Sequence, residues 1–332
     1  MVGKISAIYW QISLPVAASS AWMSISMSDP DPATNSKVRV FGARLLSTLM
    51  LWAVVTGVFL IANVWLFIAL MSLLGFLGVW EYFRMTREGE MPAQRGWGLA
   101  ISALYLGTLG WILGKYGYSG LDFLHTVDAV FVVLCVMGGF LWQLRRPVDG
   151  KKTLTEVAVT SLGFVYVAVM SSFITRLLFL PQLSESVPGA WLVIWLVLVT
   201  KFTDMGAYIT GSLIGKHKMI PHISPAKTWQ GFGGGVAFAL LAGCGLYALM
   251  PEQLVILGGW GWVIGLSVLL SLLAVVGDLA ESVLKRSLGV KDSGNTLPGI
   301  GGTLDLIDSL CFTAPVLYFV LKWTAVCCPS VN

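Results

Sequence analysis

The sequence predicts an all-α fold, that of a polytopic integral membrane protein with about nine transmembrane helices. Charged residues make up only 11% of the 332 residues, against about 25% in a typical soluble domain. Hydrophobic residues make up 56%, more than a soluble protein of this size can hide from water. The apolar residues also lie in continuous runs, whereas a membrane β-barrel would show short alternating segments. These observations exclude an ordinary soluble enzyme, a disordered protein and a fibrous repeat.

The predicted helices come from long apolar runs with few or no charged residues, since about 20 mostly apolar residues are needed to cross the hydrocarbon core. The first run, 45–80, is too long for one crossing and is predicted to form two helices with a turn near Asn63. The predicted bounds of the remaining spans are 96–114, 129–144, 157–175, 186–214, 228–251, 253–277 and 306–326. Together these runs give the predicted total of nine spans.

The distribution of Lys and Arg predicts the orientation, since short cytoplasmic loops carry an excess of basic residues. With nine spans and the N-terminus inside, the cytoplasmic segments hold 16 of the 21 basic residues. The opposite loops, such as 180–188 and 250–254, hold almost none. We therefore expect a protein of the inner or plasma membrane with its N-terminus inside and its C-terminus outside.

Three regions are expected along the chain. Residues 1–36 form an N-terminal extension that is either disordered or upstream of the true start, and they resemble a signal peptide only weakly because polar residues interrupt the apolar stretch. Residues 37–200 carry the first five to six spans, and residues 201–332 carry the rest together with two polar stretches. The five cysteines show neither zinc-type spacing nor a disulfide framework. The net charge of +4 is too small to suggest nucleic acid.

The first polar stretch, 201–235, begins in the sixth predicted helix. Lys201 and Asp204 share one face of that helix near its end, since they are three residues apart. Basic, hydroxyl and glycine residues follow, and these are Gly211, Gly215, Lys216, Lys218, Ser224, Lys227, Thr228, Gly231, Gly233, Gly234 and Gly235. Ammonium groups, small polar donors and closely approaching backbone suit a polyphosphate. A loop that only fixes topology would account for the lysines, but not for Asp204 or the glycines.

The second polar stretch, 277–309, carries carboxylates on two helices. Asp278, Glu281, Ser282 and Lys285 share one face of a helix that continues from the eighth span. Asp305 and Asp308 are three residues apart where the ninth span begins. Carboxylates that converge at a membrane surface suggest a divalent-cation site, and the neighbouring Lys285, Arg286 and Lys291 suit phosphates. A solvated amphipathic loop is the alternative, but it would leave costly uncompensated aspartates where a helix enters lipid.

Both stretches fall on the same predicted side of the membrane, which indicates nucleotide or phosphoryl chemistry on a lipid. The second closely resembles the signature of the phosphatidate cytidylyltransferases, also called CDP-diacylglycerol synthases. The matching residues are Ser282, Lys285, Arg286, Lys291, Asp292, Gly294, Leu297, Pro298, Gly301, Gly302, Asp305 and Asp308. The first resembles the D-x-G-A-Y, G-K-H-K and I-S-P-x-K-T-W-x-G runs of the same family, through Asp204, Gly206, Ala207, Tyr208, Gly215, Lys216, His217, Lys218, Ser224, Pro225, Lys227, Thr228, Trp229 and Gly231.

The resemblance implies that CTP and phosphatidate react to CDP-diacylglycerol and pyrophosphate at an active site that faces the cytoplasm. It implies Mg²⁺ as cofactor, leaves a second cation open, and assigns Asp278, Asp305 and Asp308 as metal ligands, with Lys285 and Lys291 as further catalytic residues. The substrate-binding residues that it implies are Asp204, Ser224, Lys227, Thr228, Ser282, Arg286, Asp292, Gly301 and Gly302. The expected partners are CTP, phosphatidate and the lipid bilayer; nucleic acid is not expected, and a homodimer is left open.

Three residues depart from the family pattern. Ile300 replaces a usual His, Leu306 replaces a usual Arg, and Thr303 replaces an aliphatic residue. The aspartates and lysines are present, so we expect metal and phosphate binding to persist. The departures bear on the fine positioning of one phosphate, and they leave a catalytically inactive family member as an alternative.

Other functions remain open at this point. One is another CTP-dependent lipid enzyme, either a polyprenol kinase, which would release CDP, or an ether-lipid cytidylyltransferase. A transporter or a non-catalytic membrane scaffold is the alternative from a different class. Transporters place polar residues near the bilayer midplane on broken helices in paired repeats, whereas here the polar residues cluster at one predicted face.

Overall fold

The computed structural model describes residues 53, 57–58, 61–181, 189–290, 294 and 301–327. For residues 325–327 it describes the backbone alone. These residues belong to one compact unit, Phe41–Asn332. The long helices of this part are α1 (Val64–Glu88), α2 (Arg95–Tyr116), α3 (Leu121–Gln143), α4 (Gly150–Leu177), α5 (Ala190–Ile214), α6 (Trp229–Leu249), α7 (Trp260–Ser287) and α8 (Thr303–Cys327). Helix α4 includes a π-helical stretch at Phe164–Val169. A hairpin of β1 (Lys218–Ile220) and β2 (Ser224–Thr228) joins α5 to α6.

Seven segments of the described chain are long and apolar enough to cross a membrane. One of them, Arg95–Gln143, contains both α2 and α3. These two helices form an antiparallel hairpin, since Trp97 Nε1 near the start of α2 donates to the Cys135 carbonyl near the end of α3 at 3.0 Å. The all-α membrane class is therefore confirmed, and α1 to α8 coincide with the last eight predicted spans.

Two of the predictions for the N-terminal part fall outside the described residues. The first predicted span, in the N-terminal half of the run 45–80, lies mostly there, so the total of nine stays a prediction. The extension 1–36 lies there entirely, and the predicted division at residue 200 also stays a prediction. The predicted turn near Asn63 is present: Asn63 caps α1, and its Oδ1 accepts from the backbone N–H of Trp65 at 2.9 Å.

The β hairpin between α5 and α6 was not predicted, since the predicted structure contained only helices. Its strands pair antiparallel, with Lys218 opposite Thr228 and Ile220 opposite Ser224. Two prolines within residues 215–228 disfavour helix there. Thr228 ends β2 and also caps α6, because its Oγ1 accepts from the backbone N–H of Gly231 at 3.1 Å. The hairpin therefore holds the first polar stretch directly against the start of α6.

Glycines let the helices that carry the two polar stretches approach closely, as is common in membranes. A Cβ placed on Gly206 of α5 would lie 2.6 Å from the Phe238 Cβ of α6. A Cβ on Gly277 of α7 would lie 2.8 Å from the Ser309 Cα of α8. No larger residue fits these positions without moving a helix, so the glycines determine how closely the polar stretches meet.

Several charges that flank the predicted spans lie within helices instead, and two of them form a buried ion pair. Arg176 of α4 is fully buried, and it donates to both carboxylate oxygens of Asp128 on α3, at 2.9 and 2.6 Å. It also donates to the Tyr105 hydroxyl of α2 at 2.9 Å. An isolated charge here would be very unfavourable, so the ion pair explains how α2, α3 and α4 accommodate a buried arginine.

We expect Asp128→Asn to lower the free energy of unfolding by about 3–5 kcal/mol, because it leaves the Arg176 charge buried without its counter-ion. Thermal unfolding of the purified protein in detergent would show this as a lower Tm. Asp122→Asn on the same helix is the matched control: Asp122 pairs with Lys322 at 2.9 Å, but its side chain is 77% exposed. Its loss is expected to change stability by less than about 1 kcal/mol. Equal Tm shifts in the two variants would contradict a stabilising role for the buried pair.

Candidate active site

The ends of α5 and α7, the start of α8 and the β hairpin surround a cavity of about 430 Å³. Apolar side chains such as Phe232 and Val275 form part of its wall. Eight residues predicted from the sequence to bind substrate or metal also line it, and these are Asp204, Ser224, Lys227, Thr228, Asp278, Lys285, Asp305 and Asp308. The fold therefore brings the two polar stretches into one site.

Three carboxylates meet at this cavity. Asp278 and Glu281 of α7 and Asp308 of α8 place carboxylate oxygens within 4.8 Å of one another. Asp278 and Glu281 share a helix face because they are three residues apart. Helix α8 reaches them because α7 has Gly277 at the crossing, where a Cβ would lie 2.9 Å from the Asp308 carbonyl oxygen. Glu281 and Asp308 are only 2% and 4% exposed, so their charged forms would be unfavourable without a nearby cation.

Asp305, the remaining predicted metal ligand, lies beside this group of three. Its Oδ1 accepts from Lys285 Nζ at 3.0 Å, and its Oδ2 accepts from the backbone N–H of Gly302 at 3.0 Å. Lys285 also lies 3.1 Å from Glu281 Oε2 and so links the two carboxylates. The geometry adds Glu281, which the sequence placed on the same helix face as Asp278 but which was left out of the predicted ligands. The metal-binding roles themselves stay predictions.

Lysines connect the two polar stretches. Lys227 of β2 forms an ion pair with Asp278 of α7. Lys201 and Asp204 on α5 lie 3.7 Å apart, as their spacing indicated. Between apolar helices, charges interact more strongly than in water. Two lysines of the cavity wall, Lys227 and Lys285, thus face carboxylates and are placed to meet a phosphate.

The hydroxyl residues of the hairpin occupy different positions. Ser224 lies half-buried at the start of β2 and lines the cavity. Thr228 also lines the cavity, but it is only 4% exposed. Its hydroxyl already accepts the Gly231 N–H. Ser224 is therefore the freer of the two hydroxyls to contact a substrate.

Four more of the predicted substrate-binding residues lie in the described part of the chain but do not line the cavity, and these are Ser282, Arg286, Gly301 and Gly302. Arg286 Nε lies 3.5 Å from the Ile223 carbonyl, which places α7 against the hairpin. Gly301 has φ of 118°, a conformation that favours glycine, just before α8 begins. The predicted Lys291 and Asp292, and the departure at Ile300, lie outside the described residues.

A further carboxylate beside the site was not predicted. Glu81 of α1 is fully buried, and its Oε2 accepts from the backbone N–H of Leu304 at the start of α8, at 2.7 Å. Glu81 directly follows the apolar run 45–80 and was not among the predicted site residues. A signal was present, because Glu81 directly adjoins a long apolar run, where a buried carboxylate is costly unless it has a partner.

Comparison with known proteins adds independent information. The family model described as "Cytidylyltransferase family" matches residues 42–324. A protein of Escherichia coli strain K12 named "Uncharacterized protein YnbB" is 30% identical over 268 residues, which cover 80% of this chain and 80% of that protein. The phosphatidate cytidylyltransferase of Bacillus subtilis strain 168 is 32% identical over 260 residues, 77% of this chain and 88% of that enzyme. The enzyme of the same name from Staphylococcus epidermidis is 40% identical over 178 residues, 53% of this chain and 60% of that protein.

Proposed function

Because the chain belongs to the cytidylyltransferase family, we propose that it transfers the cytidylyl group of CTP to phosphatidate, giving CDP-diacylglycerol and pyrophosphate. The observation that carries this proposal is the single cavity in which carboxylates of α7 and α8 meet the lysines of β2 and α7. The match to the Bacillus subtilis enzyme, which extends over most of both chains, supports the same reaction. The location among membrane-spanning helices suits a lipid substrate.

The chemistry needs positioning more than it needs a general base. The nucleophile is an oxygen of a phosphate monoester, which is already ionised at neutral pH. It attacks the α-phosphorus of CTP, a new P–O bond forms, and the bond to the bridging α–β oxygen breaks as pyrophosphate leaves. The main obstacle is the repulsion between two polyanions, so catalysis depends on nearby positive charge. Among the described residues, Lys227 and Lys285 are the lysines that line the cavity and would supply it.

The carboxylates fit a Mg²⁺ ion. Hard oxygen ligands are what this ion prefers, and three carboxylates lie within 4.8 Å of one another. We propose that Asp278, Asp305 and Asp308 hold the ion and that Glu281 completes the group, since it adjoins Asp278 and Asp308 and shares Lys285 with Asp305. A bound divalent cation would neutralise phosphate charge and polarise the α-phosphate. The ion would also compensate the buried charges of Glu281 and Asp308.

We also propose that the cavity opens toward the cytoplasm. The last turns of α1, α3 and α7 and the segments that follow them are rich in Lys and Arg, and they lie at the same end of the bundle as the cavity. Gly89 after α1 is in contact with Leu288 after α7. Gln94 Nε2, in the segment between α1 and α2, donates to the Gly139 carbonyl near the end of α3 at 2.9 Å. Short basic segments at one end of a bundle are typical of the cytoplasmic side. CTP would reach the site from that side, and phosphatidate from the bilayer.

Product analysis tests the proposed reaction. We expect the purified protein, with phosphatidate and Mg²⁺, to transfer label from the α-phosphate of CTP into lipid and label from the γ-phosphate into pyrophosphate. A polyprenol in place of phosphatidate is expected to give no labelled product. Transfer of the γ-label to lipid with release of CDP would instead establish a lipid kinase. Transfer of the α-label only to an ether lipid would establish a different cytidylyltransferase specificity.

A further inference from the structure

We propose that Glu81 is a positioning residue for the carboxylate cluster, which acts by holding the start of α8 against α1. This inference rests on the proposed function, because its effect is on the site that would hold Mg²⁺ and the phosphates. Glu81 is 223 residues away from Leu304 in the chain, yet its Oε2 accepts the Leu304 N–H at 2.7 Å. It does not line the cavity in the described part of the chain, so it would act through α8.

The Glu81 carboxylate lies at the N-terminus of α8, where a negative charge is stabilising. The first backbone N–H groups of a helix lack partners within the helix, and the helix dipole places partial positive charge there. Just before α8, the Gly302 N–H is taken by Asp305, and in its first turn the Leu304 N–H is taken by Glu81. A buried carboxylate is unfavourable without such partners, and a leucine of similar size would avoid that penalty. Packing alone therefore does not explain Glu81.

Helix α1 contacts both sides of the connection between α7 and α8. One turn before Glu81, a Cβ on Gly78 would lie 2.7 Å from Ile307 Cδ1 of α8. At the end of α1, Gly89 is in contact with Leu288, which follows α7. Between these, a Cβ on Gly294 would lie 2.8 Å from Glu81 Oε1. The Glu81 carboxylate thus contacts both the connection and the helix that follows it.

The consequence concerns two aspartates. Asp305 directly follows Leu304, and Asp308 lies one turn further along α8. The distance between Asp308 and the α7 carboxylates depends on the position of the first turn of α8, because that turn leads directly into the close crossing of the two helices at Gly277. Loss of the Glu81 contact would release the first turn of α8 and spread the carboxylates. Substitution of a residue that orients metal ligands in this indirect way typically lowers metal affinity by about 10- to 100-fold.

The test compares Glu81→Met, which removes the acceptor, with Glu81→Gln, which keeps an amide oxygen as acceptor. The full chain in detergent is titrated with Mg²⁺ alone, and Tm from tryptophan fluorescence gives the midpoint of the titration without any substrate. Turnover against Mg²⁺ concentration is measured in parallel. Glu88→Gln is the matched control for Glu81→Gln, since it makes the same change seven residues further along α1. Glu88 pairs with Arg84 at 3.1 Å, and its side chain is 47% exposed.

We expect Glu81→Met to raise the Mg²⁺ midpoint about 10-fold or more, with Glu81→Gln restored to within about threefold of wild type and Glu88→Gln unchanged. An unchanged midpoint in Glu81→Met, or no Mg²⁺ response in the wild-type protein, would overturn the inference. If Glu81→Met fails to fold, residue 81 serves the fold as a whole, and the inference is equally rejected. A wild-type Mg²⁺ response that Glu81→Met weakens, without any CDP-lipid product, would reject the proposed function but leave the positioning role.

Discussion

Asp278→Asn is expected to lower the rate of CDP-diacylglycerol formation by about 10³-fold or more, equivalent to about 4 kcal/mol of lost transition-state stabilisation. Asp278 belongs both to the group of three carboxylates and to the ion pair with Lys227. Its neutralisation would weaken the proposed metal site and leave Lys227 without its counter-ion. The measurement is the initial rate of label transfer from CTP to lipid at saturating phosphatidate and Mg²⁺.

The matched control for this prediction is Asp149→Asn. Asp149 is an exposed carboxylate that precedes α4 and pairs with Lys152 at 3.3 Å. A surface change of this kind is expected to leave the rate within about twofold of wild type. Thermal unfolding of both variants would show whether they are folded. A folded Asp278→Asn protein that keeps more than a tenth of the wild-type rate would remove Asp278 from the proposed site.

Lys227→Met is expected to lower kcat/KM for CTP by about 10²- to 10³-fold, the usual effect of removing one well-placed electrostatic group from an active site. Lys227 links the two polar stretches by an ion pair, since it lies on β2 and pairs with Asp278 on α7. Without it, the cavity keeps its carboxylates but loses one of the two lysines that line it in the described part of the chain. A triphosphate would then meet a more negative site, so we expect both a higher KM for CTP and a lower kcat.

Two further variants test whether charge or geometry matters at Lys227. Lys227→Arg keeps the charge but replaces a compact ammonium with a planar fork, and we expect it to restore only part of the activity. Lys151→Met makes the same change at an exposed lysine of α4 and is expected to behave as wild type. If Lys227→Met changes neither KM nor kcat, Lys227 serves the hairpin rather than the substrate.

In the described chain, the charged residues of α8 lie near its two ends. The predicted effects on the cavity and on the stability of the bundle therefore concern different parts of the molecule. Asp305 and Asp308 lie at its start, beside the cavity, whereas Lys322 near its other end pairs with Asp122 of α3. Asp128, the residue tested for stability, is on the same helix as Asp122. Variants at Asp128 should therefore change Tm without changing the rate per folded molecule, whereas variants at Asp278 should lower that rate.

The membrane class, the positions of α1 to α8 and the two polar stretches were predictable from the sequence. Long apolar runs have few alternatives to spanning helices, because lipid offers no partner for unpaired backbone groups. Carboxylates three residues apart share a helix face whatever the helix packs against. The pairs Asp278 with Glu281 and Asp305 with Asp308 were visible for this reason. Family motifs then indicated which side chains share a site.

Only the tertiary structure decided which of those side chains meet. The close crossing of α7 and α8 at Gly277 brings Glu281 next to Asp308 and leaves Asp305 with Lys285. The same packing places Glu81 against Leu304, a contact between helices that are distant in the chain. Periodicity within one helix carries no information about the rotation or depth of its neighbour. Those depend on small residues at the crossings, where a single Cβ would push the helices apart.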